Sequence, residues 1–270
     1  MADRVDLYSA YRDFTQDVLD AVRKETFGID IGQNSWLTVD EHDRFLSWLE
    51  LRPEQHVLEL ASGSGGPALY MANRCVCRVT GMDVNEGAVA TATQLAARAN
   101  LGDRVRFVAG DANAPLPFED STFDGVICID SLNHLADRRG VLGEIRRVLR
   151  PGRRAVVTDP VVITGPITNE ELAVRGSIGL FLYVPPGVNE RLIEEAGLAL
   201  VHQQDVSDNC ALIAKRWHDA RAHHQAALVE LEGAERFAGL QKFFWAVHRL
   251  TDERRLSRFV YVVEKPSRGP

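Results

Sequence analysis

No stretch of the chain approaches the roughly 20 consecutive apolar residues that a membrane-spanning helix needs, so no span is expected. The first residues, Met1 to Asp6, hold no apolar signal core, and a cytoplasmic protein is expected. Cysteine is scarce. Cys75, Cys77, Cys128 and Cys210 lack the pairing of a zinc site and read as reduced, buried or incidental thiols. Long basic clusters are missing too, and the net charge is −7, so the chain lacks the footprint of a phosphate-backbone binder and nucleic acid is not an expected partner. The adjacent His223 and His224 point in different directions from a helix with no third ligand at helical spacing, which predicts a solvated face and no metal. What remains is ordinary globular composition, 45% hydrophobic and 26% charged. On 270 residues it suffices for one large domain, or a domain with a cap, that buries about three quarters of its unfolded surface.

The most informative stretch is residues 57–72, an apolar strand that ends on an acid, passes through a glycine turn and enters a helix. Gly63, Gly65 and Gly66 let the backbone turn sharply and allow a ligand to lie against main-chain N–H groups. Pro67 suits the first helical turn. Two readings compete. Gly63-Ser64-Gly65-Gly66-Pro67-Ala68 is a literal G-x-G-x-x-A, the dinucleotide fingerprint, with Asp83 near the distance of a ribose-binding acid. The rival is an S-adenosylmethionine (SAM) site, which also uses an acid before the glycines and another after the third strand; Glu59 and Asp111 stand there.

In chain order, Leu7 to Phe27 carries an apolar stripe that predicts an amphipathic helix, and a second helix is expected from Val39 to Leu49. Between them, a loop-like segment carries Trp36. A β–α alternation follows: strand 56–60, helix 66–74, strand 78–82, helix 86–99, strand 105–108, strand 123–129, helix 137–149 and strand 155–159. It predicts a parallel, doubly wound α/β sheet. Asp83 can accept bonds from both hydroxyls of a ribose, leaving Asn85 to cap the next helix, and Asp111 can take the amine of adenine or form a turn. Beyond Asp159, residues 160–186 are rich in Gly and Pro, with a helix at 188–196, a sixth strand at 197–202, long helices at 210–231 and 237–250, and a strand at 258–265.

Four elements in this order carry a resemblance: the Glu59-to-Gly66 loop, Asp83, the Gly110-Asp111-Ala112 turn, and Phe123-Asp124-Gly125-Val126 with the later Leu149-Arg150-Pro151-Gly152. Together they resemble the class I SAM-dependent methyltransferases, in the small-molecule branch of ubiquinone/menaquinone, sarcosine/dimethylglycine, tocopherol and phosphoethanolamine methyltransferases. The likeness covers about residues 45–160. One departure stands out, because Ala61 occupies the first glycine of the usual E/D-x-G-x-G-x-G. The resemblance implies a Rossmann-like seven-stranded sheet whose last strand is antiparallel, and SAM as cofactor. It places Gly63 and Gly65 against the methionine part, Asp83 on the ribose, Asp111 and Ala112 on adenine, with Glu59, Ala61 and Val84 also lining the cofactor. Asp130, Ser131 and the residues up to His134 would border the methyl group and substrate. The expected divisions are a helical lid (1–50), a SAM-binding core (51–160), a sixth strand and helical substrate cap (161–257), and a terminal strand and tail (258–270).

Methyl transfer from a sulfonium is an in-line displacement that needs alignment more than covalent help. An oxygen acceptor of high pKa or a protonated amine needs a base, and His134 is the candidate by position, the alternative being that it only holds the loop or contacts the sulfonium side of the cofactor. Tyr11, Trp36, Tyr183, Trp217 and Trp245, with Phe181, Phe243 and Phe244, are candidates for an apolar substrate wall or a cation–π cage, with core packing the alternative role and expected for at least half of the cap aromatics. The acceptor atom, O, N or C, is left open, as is a monomer or homodimer. The alternatives are an NAD(P)-dependent oxidoreductase and a SAM-binding protein without activity.

Overall fold

The computed structural model describes residues 16–267. Seven strands, β1 (His56–Leu60), β2 (Arg78–Asp83), β3 (Val105–Ala109), β4 (Phe123–Cys128), β5 (Leu149–Ile163), β6 (Ala199–Asp205) and β7 (Leu256–Glu264), form one sheet in the order β3-β2-β1-β4-β5-β7-β6. The first five pair in parallel, and β7 runs antiparallel to both β5 and β6. This is the doubly wound sheet with an antiparallel last strand that the alternation and the resemblance led us to expect.

Successive strand side chains point to opposite faces, so each central strand feeds two cores. Leu58, Val126 and Val157 enter a cluster with Leu142 and Ile145 of α5 (Arg138–Val148). Val57, Ile127 and Val156 enter another with Met71 of α3 (Gly66–Arg74) and Phe45 of α2 (Val39–Trp48). A third cluster contains no strand residue and is mostly helical. It joins Val22 and Phe27 of α1 (Asp17–Phe27), Ile213 and Trp217 of α8 (Ser207–His223), and Phe243 and Val247 of α10 (Ala234–Asp252). The part of the first helical stripe before residue 16, Tyr11 included, lies outside the described residues.

Strand order turns back on itself between β1 and β4, and this switch point is where an open α/β sheet leaves a crevice at its carboxyl edge. α4 (Glu86–Arg98) follows β2 and is capped by Asn85, whose Oδ1 accepts from the Ala88 N–H at 3.0 Å. Three departures from the sequence reading matter. A short helix, α6 (Asn169–Arg175), forms inside the Gly/Pro-rich stretch under a Thr168–Glu171 capping box. The helix expected over 210–231 is two, α8 and α9 (Gln225–Glu232), separated at His224. β5 begins at Leu149 instead of Ala155, taking in the Leu-Arg-Pro-Gly segment that reads as a turn. α7 (Val188–Glu195) matches its expected place.

Candidate active site

The chain leaves β1 through a turn with three left-handed residues, Ala61 (φ 55°), Gly63 (φ 52°) and Gly65 (φ 81°). Ala61 therefore sits where glycine is ordinarily required, and its side chain is carried at some conformational cost. The turn is pinned to β2: Ser62 N–H donates to the Met82 carbonyl at 3.0 Å, and Gly63 N–H donates to Asp83 Oδ2 at 2.8 Å. Gly66 is needed for a different reason. A Cβ there would lie 2.0 Å from the Ile31 carbonyl oxygen, because the segment between α1 and α2 crosses directly over the turn. At Gly65 a Cβ would meet the Phe107 ring at 2.5 Å.

A cavity of about 310 Å³ opens between this turn, the crossing segment and the carboxyl ends of β2, β3 and β4. Glu59, Ala61, Gly63, Asp83, Val84, Asp111, Ala112, Asp130, Ser131 and His134 all line it. Gly65 does not; it is occupied in packing the turn on Phe107. From the crossing segment come Gly32, Asn34, Ser35 and Leu37, none of which the motifs point to.

The acids differ in what already engages them. Asp83 accepts from Gly63 and Asn85 N–H groups, each at 2.8 Å, and burial still holds its pKa above the ordinary carboxylate range. Asp111 forms an Asx turn through Oδ1, which accepts from Asn113 N–H at 2.9 Å, while the carboxylate remains exposed along the cavity. Glu59 is buried and its Oε2 has no hydrogen-bond partner among the described residues. Burial, with a smaller contribution from the Asp83 charge, pushes its pKa up to about 8. A buried carboxyl facing a cavity without a partner calls for a cationic or donor group on the occupant. The ammonium and sulfonium of SAM supply that charge. The Ser62, Gly63 and Gly65 N–H groups are engaged within the protein, so the turn would offer the methionine end close backbone approach at Gly63, while Asp83 and Asp111 would supply acceptors for the ribose and adenine; the residues fit the cofactor.

Asp130, expected beside the cofactor, is chiefly engaged by protein. Its Oδ1 accepts from Arg258 Nε at 2.7 Å and Thr158 Oγ1 at 2.8 Å, and its Oδ2 accepts from the Trp36 N–H at 3.0 Å. Arg258, fully buried, also donates to Glu41 Oε2 at 2.6 Å.

His134 closes a 3₁₀ turn (Leu132–His134) after β4 and lines both this cavity and a second, smaller one of about 100 Å³. Its Nδ1 donates to the Leu180 carbonyl at 2.6 Å, which fixes the neutral tautomer and leaves Nε2 as the acceptor nitrogen. Burial lowers its pKa, so the ring is uncharged at neutral pH. Trp36, Trp217, Phe181, Phe243 and Phe244 line the second cavity. Tyr183 lines neither cavity, and Trp245 is 43% exposed with its ring against His218 and His248, away from both. Asn133, within the Asp130-to-His134 run expected to border the substrate, is also on the second cavity's wall; Arg175 is there too and carries no sequence motif of its own, although the Thr168-x-x-Glu171 box announces the helix that bears it.

His223 and His224 meet a group that their spacing could not reveal. Glu25 of α1 accepts from His223 Nδ1 at 3.1 Å and His224 Nε2 at 2.7 Å, and one ligand atom from each of the three residues falls within 4.8 Å of the others.

A methyltransferase-domain family model matches residues 58–157. The 27-O-demethylrifamycin SV methyltransferase of Amycolatopsis mediterranei is 32% identical over 231 residues, 84% of this chain and 79% of that one. A sterol 24-C-methyltransferase of Gibberella zeae is 31% identical over 185 residues, 65% of this chain but 48% of its own, so the chain spans about half of that enzyme. The solved structure of Haemonchus contortus phosphoethanolamine N-methyltransferase 2, in complex with phosphomonomethylethanolamine and S-adenosylhomocysteine, superposes with a TM-score of 0.80 at 18% identity, covering 96% of this chain and 60% of that one. These relatives displace the nicotinamide reading of the glycine fingerprint. The chain belongs to the SAM-dependent methyltransferases.

Proposed function

We propose that the chain moves the methyl group of SAM to a hydroxyl oxygen of a small, partly apolar metabolite, with His134 as the base. The observation that carries this reading is the His134 ring, held by the Leu180 carbonyl between the cofactor cavity and the aromatic one with Nε2 free to accept a proton. The three relatives named above act on oxygen, carbon and nitrogen, so family membership leaves the acceptor atom open and the local geometry must decide it.

When bound, SAM supplies an electrophilic methyl, whose C–S bond breaks as the acceptor oxygen forms O–CH₃ and the electron pair stays on the sulfur of S-adenosylhomocysteine. The chain supplies alignment, which in such displacements contributes roughly 7 to 11 kcal/mol. Glu59, the Gly63 backbone, Asp83 and Asp111 hold the cofactor, with Val84 as an apolar wall. Trp36, Trp217 and Phe244 hold the acceptor's body and exclude water. His134 Nε2 takes the hydroxyl proton. Among the described residues no helix is long and apolar enough to cross a membrane, and four free thiols fit a reducing compartment such as the cytoplasm.

The test is parallel titration with SAM, S-adenosylhomocysteine and NAD, then turnover with a panel of phenols and alcohols followed by release of S-adenosylhomocysteine. Turnover of hydroxylated acceptors, but not their methyl ethers, is the expected result. Tight SAM binding with turnover only of amines or carbon acids would overturn the oxygen assignment, and no turnover with any acceptor would favour a binding protein.

A further inference from the structure

The wall of the second cavity carries a guanidinium that no acid among the described residues pairs. Arg175, at the last turn of α6, is 1% exposed, and its Nη1 and Nη2 have no hydrogen-bond partner among the described residues. Its guanidinium lies 4.3 Å from the centroid of Phe181 and 5.2 Å from that of Phe243, between aromatic faces that favour a cation but accept no N–H in the plane of the guanidinium. The nearby buried acids are committed elsewhere: Asp130 to Arg258, and Asp159 to Arg138 and Asn189. Asn133 lines the same cavity fully buried, with both Oδ1 and Nδ2 unpartnered.

We propose that this cavity is an anion subsite, and that the acceptor is an organic acid whose carboxylate docks on Arg175 beside Asn133 while its apolar body lies against Trp36, Phe181, Trp217 and Phe244. A carboxylate matches the planar two-donor edge of a guanidinium, and a buried arginine without a partner is strongly disfavoured until such an anion arrives. Asn133 Nδ2 adds a donor and its Oδ1 can accept from a neighbouring hydroxyl. Burial lowers the pKa of Arg175, consistent with a guanidinium awaiting its counter-ion. The same charge argues against a cationic amine in this aromatic enclosure. The inference rests on the methyltransfer reading, because the cavity shares Asn34, Ser35, Asp130 and His134 with the cofactor cavity.

Calorimetric titration of the full chain, saturated with S-adenosylhomocysteine, tests it with benzoate, phenylacetate and 3-phenylpropionate, each against its own amide. At least one acid is expected to bind about 10- to 100-fold more tightly than its amide. Arg175→Met removes that preference while affinity for S-adenosylhomocysteine stays, and Arg175→Lys restores part of it. Asn133→Asp, a second variant that puts a fixed carboxylate into the cavity, weakens acid binding by the same order. Equal binding of acids and amides, no acid binding at all, or a preference that survives in Arg175→Met or Asn133→Asp would overturn the subsite with the cofactor reading intact. Failure of S-adenosylhomocysteine to bind the wild-type chain would overturn both.

Discussion

The Trp36 backbone N–H donates to Asp130 Oδ2 at 3.0 Å, joining positions 94 residues apart in the chain. One carboxylate thus ties the segment that crosses the glycine turn to the end of β4, while its other oxygen holds the buried Arg258 of β7. Asp130 adopts a left-handed conformation (φ 52°), which a short polar side chain with local partners tolerates. The cofactor cavity and the aromatic cavity meet at this point, so the carboxylate shapes both without needing to touch the reacting atoms.

Removing Asp130 leaves Arg258 buried with Glu41 alone, and breaking a buried pair typically costs about 3 to 5 kcal/mol. Asp130→Ala is expected to lose stability on that scale, and to bind SAM more weakly because the crossing segment loses its tether. Asp130→Asn keeps an acceptor and loses less. Urea denaturation of both variants measures this; an alanine variant within about 1 kcal/mol of wild type would show that the tether is dispensable.

Glu59 gives a pH dependence whose sign is fixed. Its folded pKa, about 8, lies above that of an unfolded glutamate. Below the unfolded value both states are protonated and its contribution to stability is fully present. As pH rises toward 8 the unfolded chain releases the proton first, and stability is lost by up to about 5 kcal/mol at the ceiling set by 1.36 kcal/mol per unit. Glu59→Gln is therefore expected to match wild type near pH 4.5 and exceed it increasingly toward pH 8. SAM runs the other way: its positive charge favours ionised Glu59, so wild-type affinity rises over the same range and the glutamine variant's stays low and flat. Thermal melts and titrations across pH check both halves.

The sheet was legible because its strands are short apolar runs closed by acids and glycines, and β1 falls on the expected residues His56–Leu60. That Glu59, Asp83, Asp111 and Asp130 line one cavity was legible for the same reason, since one acid at each strand end is a local pattern. The acceptor side was not. Phe243, Phe244 and Trp245 are consecutive on α10, and at about 100° per residue they cannot all face one cavity; periodicity alone does not say that Trp245 is the one turned away. Arg258 and Asp130 are 128 residues apart, and no spacing rule pairs them. Arg175 rides on a helix hidden among glycines and prolines, where only the capping box gave a sign of order.

Ala61 carries a left-handed backbone that glycine adopts freely. Ala61→Gly relieves that strain but adds freedom to the unfolded chain, which offsets roughly 0.4 to 1 kcal/mol of the gain. A net stabilisation of up to about 1 kcal/mol is expected, with SAM affinity retained. A loss of stability in chemical denaturation would mean that the alanine methyl packs favourably enough to outweigh the strain.

His134 is the last and most discriminating position. With Nδ1 committed to the Leu180 carbonyl and its pKa lowered by burial, the neutral ring persists to more acid pH than an ordinary histidine, whose pKa is near 6.5. Activity governed by its protonation is expected to fall on the acid side only below that ordinary value. His134→Gln keeps a polar side chain of similar length but offers no nitrogen base. Its turnover should drop by about 10²- to 10⁴-fold, the usual worth of a general base, and the acid limb should vanish. Affinity for S-adenosylhomocysteine should change little, since the proposed cofactor contacts are Glu59, Asp83 and Asp111. The pH profile separates this from a structural role: a ring that only props the Leu180 loop would leave the acid limb in place in the glutamine variant, and normal turnover across the range would remove His134 from the chemistry altogether.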